Sequence, residues 1–161
     1  MRYTPDFITH LNNGEIFVFG SNLKGLHGGG AARLAYERFG AIWGQGVGMQ
    51  GQSYGIPTMH GGVDAIKPYV DEFIEFAKNH TEYTFLVTKI GCGIAGFKEE
   101  EIAPLFTNAL YVDNIVLPES FVMFLNQIAY NIRLTVSIVA MSETKKYNLT
   151  LFDYFLIVGV V

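Results

Sequence analysis

Glycine, serine, asparagine and histidine crowd two short stretches of this chain. The first is Gly20-Ser-Asn-Leu-Lys-Gly-Leu-His-Gly-Gly-Gly30, after the apolar run Glu15-Ile-Phe-Val-Phe19. The second is Gly91-Cys-Gly-Ile-Ala-Gly96, after Tyr83-Thr-Phe-Leu-Val-Thr-Lys-Ile90. Each reads as a strand, a glycine turn and the start of a helix. Without Cβ atoms in the way, backbone N–H groups can converge on a ligand, and a helix N-terminus adds partial positive charge. That is chemistry for holding an anion. Two such turns in one small chain suggest a diphosphate or nucleotide gripped from both sides. Gly28-Gly-Gly30 carries a large unfolded-state entropy, so a turn with no ligand would seldom need three glycines. Ala31 and Ala32 are small enough for the helix end to approach such a ligand closely.

Groups that could carry a reaction are fewer. His27 reads either as a general base working near neutrality or as a loop histidine. Ser21 has no recognisable base partner and reads as a hydrogen-bonding turn residue. Cys92 sits between two glycines at a helix start. It reads either as an activated thiolate or as a small buried residue. Lys24 and Lys89 could approach a phosphate or stay solvated. Tyr54, Phe97 and Trp43 are candidates to stack on a base. His10, His27, His60 and His80 have no metal-ligand spacing, so no metal is expected. Gly91–Gly96 matches G-x-G-x-x-G between a strand and a helix, but the acidic ribose partner is poorly placed: Glu119 comes only after Leu117-Pro118. No Lys-Ser/Thr pair follows either turn in Walker position.

The elements that must position these turns can be read from spacing. Residues 15–19 and 83–90 are short apolar strands, and Ser53-Tyr-Gly-Ile-Pro57 is a third, ended by its proline. Asn114-Ile-Val-Leu117 is a fourth. Strand character is also present around Phe7-Ile8-Thr9. Ala31–Phe39 is a helix with Ala31, Leu34, Ala35 and Phe39 on one face and Gly40 as its stop. Asp64–Asn79 is a second, its regular part expected to start near Pro68. Lys98–Leu110 and Pro118–Ile128 are further helices. Gly44–Gly51 reads as a loop. The alternation of strand and helix implies a mostly parallel sheet with helices on both faces. From about residue 131, Leu134–Ala140 and Leu149–Val161 read as β-rich. The expected organisation is therefore one α/β domain over residues 1–126 and a β-rich extension over 127–161, able to add strands to a sheet edge or a second subunit.

Composition sets the class. Half of the 161 residues are apolar and 16% are charged, enough for a sizeable core. Net charge is −4 and the 11 basic residues are scattered, so no nucleic-acid backbone partner is expected. A single cysteine and a polar N-terminus suit a reducing, cytoplasmic setting. The C-terminal apolar run Tyr154–Val161 falls short of the roughly 20 residues of a membrane span, and no membrane partner is expected.

Ile16-Phe-Val-Phe-Gly-Ser-Asn22 followed by His27-Gly-Gly-Gly-Ala-Ala32 resembles the macrodomain signature. Gly91–Gly96 and the helix after it look like the second macrodomain phosphate loop. With Ser53-Tyr-Gly-Ile-Pro-Thr58, Thr88-Lys-Ile-Gly-Cys-Gly93 and Asp113–Pro118, the pattern through Asn126 is similar to a family of small macrodomain-like bacterial and phage proteins. The resemblance covers about three-quarters of the chain. It implies a three-layer macrodomain-like fold and ADP-ribose, or an ADP-ribosyl group on a target, as ligand, with no cofactor required. In some relatives it implies removal of ADP-ribose. Carried over by position, Asn22 would contact the distal ribose. Gly28, Gly29 and Gly30 would form the first phosphate-facing loop, and Gly91, Gly93, Ile94, Ala95 and Gly96 the second. Ser21, Ala31, Cys92 and Phe97, next to these loops, are also expected to touch the ligand. Asp6 would read the adenine amine. If hydrolysis occurs, Asn22 orients the sugar and His27 is the nearby base. Phe19-Gly-Ser departs from the family's usual Asn-Ala-Ala, which bears on that activity. Two other readings stand beside this one: an interaction module with a vestigial pocket whose tail pairs with a partner, and a dinucleotide (NAD) site.

Overall fold

A computed structural model of the chain describes residues 2–147 and Thr150. Its centre is β1, Glu15–Ser21. The pleat sends Phe17 and Phe19 to one face and Ile16 and Val18 to the other, and all four are buried. Burial on both faces is what an uninterrupted apolar run implies. β1 lies in the middle of a five-stranded mixed sheet of order β2-β3-β1-β4-β5, in which β2 is Gly48–Gln50, β3 Ser53–Pro57, β4 Thr84–Val87 and β5 Ile115–Val116. β3 and β4 flank β1 in parallel, β5 continues in parallel, and only β2 runs antiparallel, on the edge.

Helices cover both faces. In register, Ile16 lies beside Phe85 and Val18 beside Tyr54, so these residues share a face. There Tyr54 and Phe85 meet Phe73 of α2 (Val63–Lys78) at ring separations of 5.1 and 5.5 Å. On the other face Phe17 meets Phe39 at 5.0 Å, in one buried cluster with Phe19, Ala32 and Ala35 of α1 (Gly30–Arg38). The result is a three-layer α/β arrangement. After α3 (Glu99–Ile102) a 3-10 helix, Ala103–Tyr111, packs against α2. The last helix, α4, runs Glu119–Tyr147. The chain divides into two compact units at Phe124/Leu125.

Several expectations change. Gly44–Gly51 is not all loop, because Gly48–Gln50 pairs with β3 and becomes β2. Phe7–Thr9 is not a strand; the leading segment makes a single bridge, from Thr4 to Pro118. α2 starts at Val63, before Pro68, since burying Ile66, Val70, Phe73, Ile74 and Ala77 outweighs the proline's missing N–H. Lys98–Leu110 is one α-helical turn and then 3-10.

The largest correction is the β-rich extension. Leu134–Ala140 is helical, inside α4. Strand propensity of Val, Ile and Thr is a weak preference that context overrides, and extending a helix already nucleated adds a bond per residue. Inside that helix the hydroxyls of Thr135 and Ser137 are satisfied by donating to the carbonyls of Asn131 and Arg133. Strand addition by 134–140 therefore has no strand to make it. Of Leu149–Val161, all but Thr150 lie outside the described residues. By length and composition alone α4 is long and apolar enough to cross a membrane. Its first turns, with Phe121 and Val122, are nevertheless buried in the first unit, where Phe121 meets Phe106.

Candidate functional site

The chain leaves β1 through α1 to reach β3 on one side, and leaves β4 through α3 to reach β5 on the other. The turns after β1 and β4 therefore diverge between adjacent parallel strands. That is where an open α/β sheet leaves a crevice at its carboxyl edge. The two glycine turns line it.

The first turn is braced from within and from outside. The Asn22 amide donates from Nδ2 to the Leu26 carbonyl at 2.8 Å, and its Oδ1 accepts from the Leu26 N–H at 3.1 Å. The Ser21 hydroxyl donates to the Gly46 carbonyl. His27 is 1% exposed, and its Nε2 lies 3.0 Å from the carbonyls of both Ile42 and Gln45. Two acceptors at that nitrogen mean that Nε2 carries the proton. The segment behind is stiffened by Gln50, buried, whose Oε1 accepts from the Ile42 N–H at 2.7 Å. Backbones touch here without room for a side chain: a Cβ on Gly46 would lie 2.0 Å from the Asn22 carbonyl oxygen.

This brace presents the start of α1 to the crevice. Gly29 caps the helix without a side-chain bond, and its first turn holds no acidic residue. The first N–H to find a protein acceptor is that of Arg33, on the Gly29 carbonyl at 3.1 Å. Among the described residues, the N–H groups of Gly29, Gly30, Ala31 and Ala32 make no bond to a protein acceptor.

The second turn faces it. A Cβ on Gly29 would lie 3.0 Å from Cδ1 of Ile94. Gly91, at φ +72°, turns the chain out of β4, and its carbonyl accepts from the Phe97 N–H at 3.0 Å. Gly93, Ile94 and Ala95 donate to no protein acceptor among the described residues. Between the turns lies a cavity of about 470 Å³. A second, of about 680 Å³, adjoins it and shares Gly30, Ala31, Thr88, Lys89 and Gly93.

Charge enters through a bridge. The Lys89 ammonium sits 3.1 Å from Glu99 and 3.6 Å from Asp6. The Glu99 hydrogen bond, with the charges of Glu99 and Asp6, holds the Lys89 ammonium above its ordinary value. Partial burial would raise the Glu99 carboxyl, but the Lys89 ammonium 3.1 Å away helps to bring it below its ordinary value. Cys92 is half-buried. Burial first, and Glu99 second, push its thiol up to about 11.

Of the residues expected at the site, Ser21, Asn22, Gly28, Gly29, Gly30, Ala31, Gly91, Gly93, Ile94 and Ala95 line the first cavity. Asp6, Cys92 and, again, Gly30, Ala31 and Gly93 line the second. His27, Gly96 and Phe97 line neither. His27 lies behind the loop as a pin. Tyr54 is core, packed on α2, whereas Trp43 is half-exposed on the first cavity's wall. Phe7, 91% exposed on the second cavity's wall, carries no pattern in the sequence that would single it out. No protein-family model, curated protein or solved structure matches the chain.

Proposed function

We propose that the crevice binds ADP-ribose or an ADP-ribosyl group, in a macrodomain-like fold. The observation that carries this is the pair of glycine turns opposed across one cavity, with the uncapped start of α1 and the N–H groups of Gly93, Ile94 and Ala95 left over for an acceptor. Backbone N–H groups and a helix N-terminus favour a diphosphate there. The adjoining cavity, with Phe7 and Asp6 on its wall, has room for a nucleoside. Binding without turnover is the form of this reading that the geometry favours. His27 has its Nε2 on two backbone carbonyls, its Nδ1 is buried, and the residue lies off the cavity wall, so neither ring nitrogen reaches water at the ribose.

Calorimetry and thermal melting against ADP-ribose, NAD, ATP and AMP test the proposal. At 100 times its Kd, ADP-ribose adds about 2.7 kcal/mol of stability. Gly29→Glu projects a carboxylate toward Ile94 and removes that shift while the unliganded protein melts near wild type. No shift at millimolar ADP-ribose sinks the reading, and tighter binding of NAD redirects it to a dinucleotide.

A further inference from the structure

We propose that Lys89 is the residue through which this crevice reads its ligand's charge, and that it does so by exchanging partners: a diphosphate in the first cavity takes the ammonium away from Asp6 and Glu99. The inference rests on the binding reading above. Lys89 is the one charged side chain on the first cavity's wall among the described residues, and it lies on the second cavity's wall as well. The glycine turns offer dipoles but no net charge, so Lys89 alone brings a cation to that cavity's wall. Its present partners hold it weakly. Its side chain is 40% exposed, that of Glu99 35% and that of Asp6 74%, and ion pairs so open to water contribute little. A diphosphate offers more negative charge and several oxygens at one point, and charge-assisted bonds to it are stronger. The four-carbon lysine stem lets the ammonium swing between the two without backbone movement. In the free protein Lys89 joins the leading segment, through Asp6, to the start of α3, through Glu99. Ligand binding and that bridge then exclude one another.

Calorimetry with ADP-ribose at two salt concentrations tests this, on wild type, Lys89→Met, Glu99→Gln and the double variant. Lys89→Met is expected to weaken binding about tenfold and to flatten its salt dependence. Glu99→Gln is expected to tighten binding roughly threefold, because it releases the ammonium. In the double variant that gain disappears. Lys89→Gln repeats the loss with a polar side chain, and melting curves confirm that each variant is folded. A purely structural lysine cannot make the Glu99→Gln gain depend on Lys89. Wild-type affinity in Lys89→Met overturns the inference while the binding reading stands. So does a Glu99→Gln gain of equal size with and without Lys89, which would mark a direct field of the carboxylate. Wild type that binds no ADP-ribose overturns the binding reading and this inference together.

Discussion

The two glycine turns resemble each other in the sequence and differ in how they are held. The first is over-determined. Asn22 closes it on itself, Ser21 and His27 tie it to the 42–46 segment, and Gly46 lets the two backbones meet. The second is held mainly by its own short bonds, Cys92 to Lys89, Gly96 to Gly93 and Phe97 to Gly91. Ile94 at its tip is 71% exposed, and a Cβ on Gly93 would meet nothing within 4 Å. One turn is thus tied to the rest of the protein through several side chains, and the other mostly to itself. The polar side chains that looked like chemistry in the first turn are spent on building it.

That contrast breaks most visibly under matched substitutions. Gly46→Ala drives a methyl into the Asn22 carbonyl, where only backbone can yield, and should cost roughly 3 kcal/mol in denaturant unfolding, with loss of ADP-ribose binding. Gly93→Ala, in open space and without a left-handed φ, should be neutral or stabilising by less than about 1 kcal/mol. Equal losses at the two positions would erase the distinction. Next in size is His27→Ala. It removes the donor that ties the Ile42 and Gln45 carbonyls to the first turn and leaves a cavity beside Phe19, whose ring lies 5.4 Å from the buried imidazole. A loss of about 2 kcal/mol is expected, with ligand affinity falling only as the loop loosens. A His27→Ala variant of full stability would mean that the imidazole is no pin.

Much of the frame is legible in the sequence because its cause is local. β1, β3 and β4 are apolar runs punctuated by glycine or proline, and α1 and α2 carry their buried faces at helical spacing. What is hidden depends on partners far along the chain. Gly48-Met-Gln50 has no strand signature and becomes β2 only because Tyr54 and Gly55 accept it in register. The glutamine brace, Gln45 and Gln50, sits in a stretch whose glycines suggest only a loop. His27 finds its acceptors 15 and 18 residues on, a separation with no periodicity to betray it. In Leu134–Ala140 the β-branched residues point the wrong way, since the helix reaches them already formed. The opposed turns are the part of the site that composition does announce, because only glycine-rich, uncapped backbone leaves its N–H groups open.

The smallest effect concerns the second turn and changes no stability at all. A cysteine after a strand and ahead of a helix suggests a thiolate favoured by the helix dipole. Here the helix that follows, α3, is a single turn carrying Glu99, Glu100 and Glu101, and their charges add to burial in keeping the thiol protonated up to about 11. At pH 8 the thiolate fraction is then about one in a thousand, against about a quarter for an ordinary cysteine near 8.5. Alkylation of Cys92 by iodoacetamide should therefore run roughly a hundredfold slower than that of a small free thiol at pH 8. It should climb about tenfold per pH unit through pH 10. Saturating ADP-ribose should slow it further, since Cys92 lines the second cavity, while the same ligand leaves the melting of a Gly29→Glu variant untouched. Labelling at pH 8 as fast as a free thiol would mean that the second turn opens far enough to hydrate its cysteine, and its looser hold would then have to be read as local unfolding.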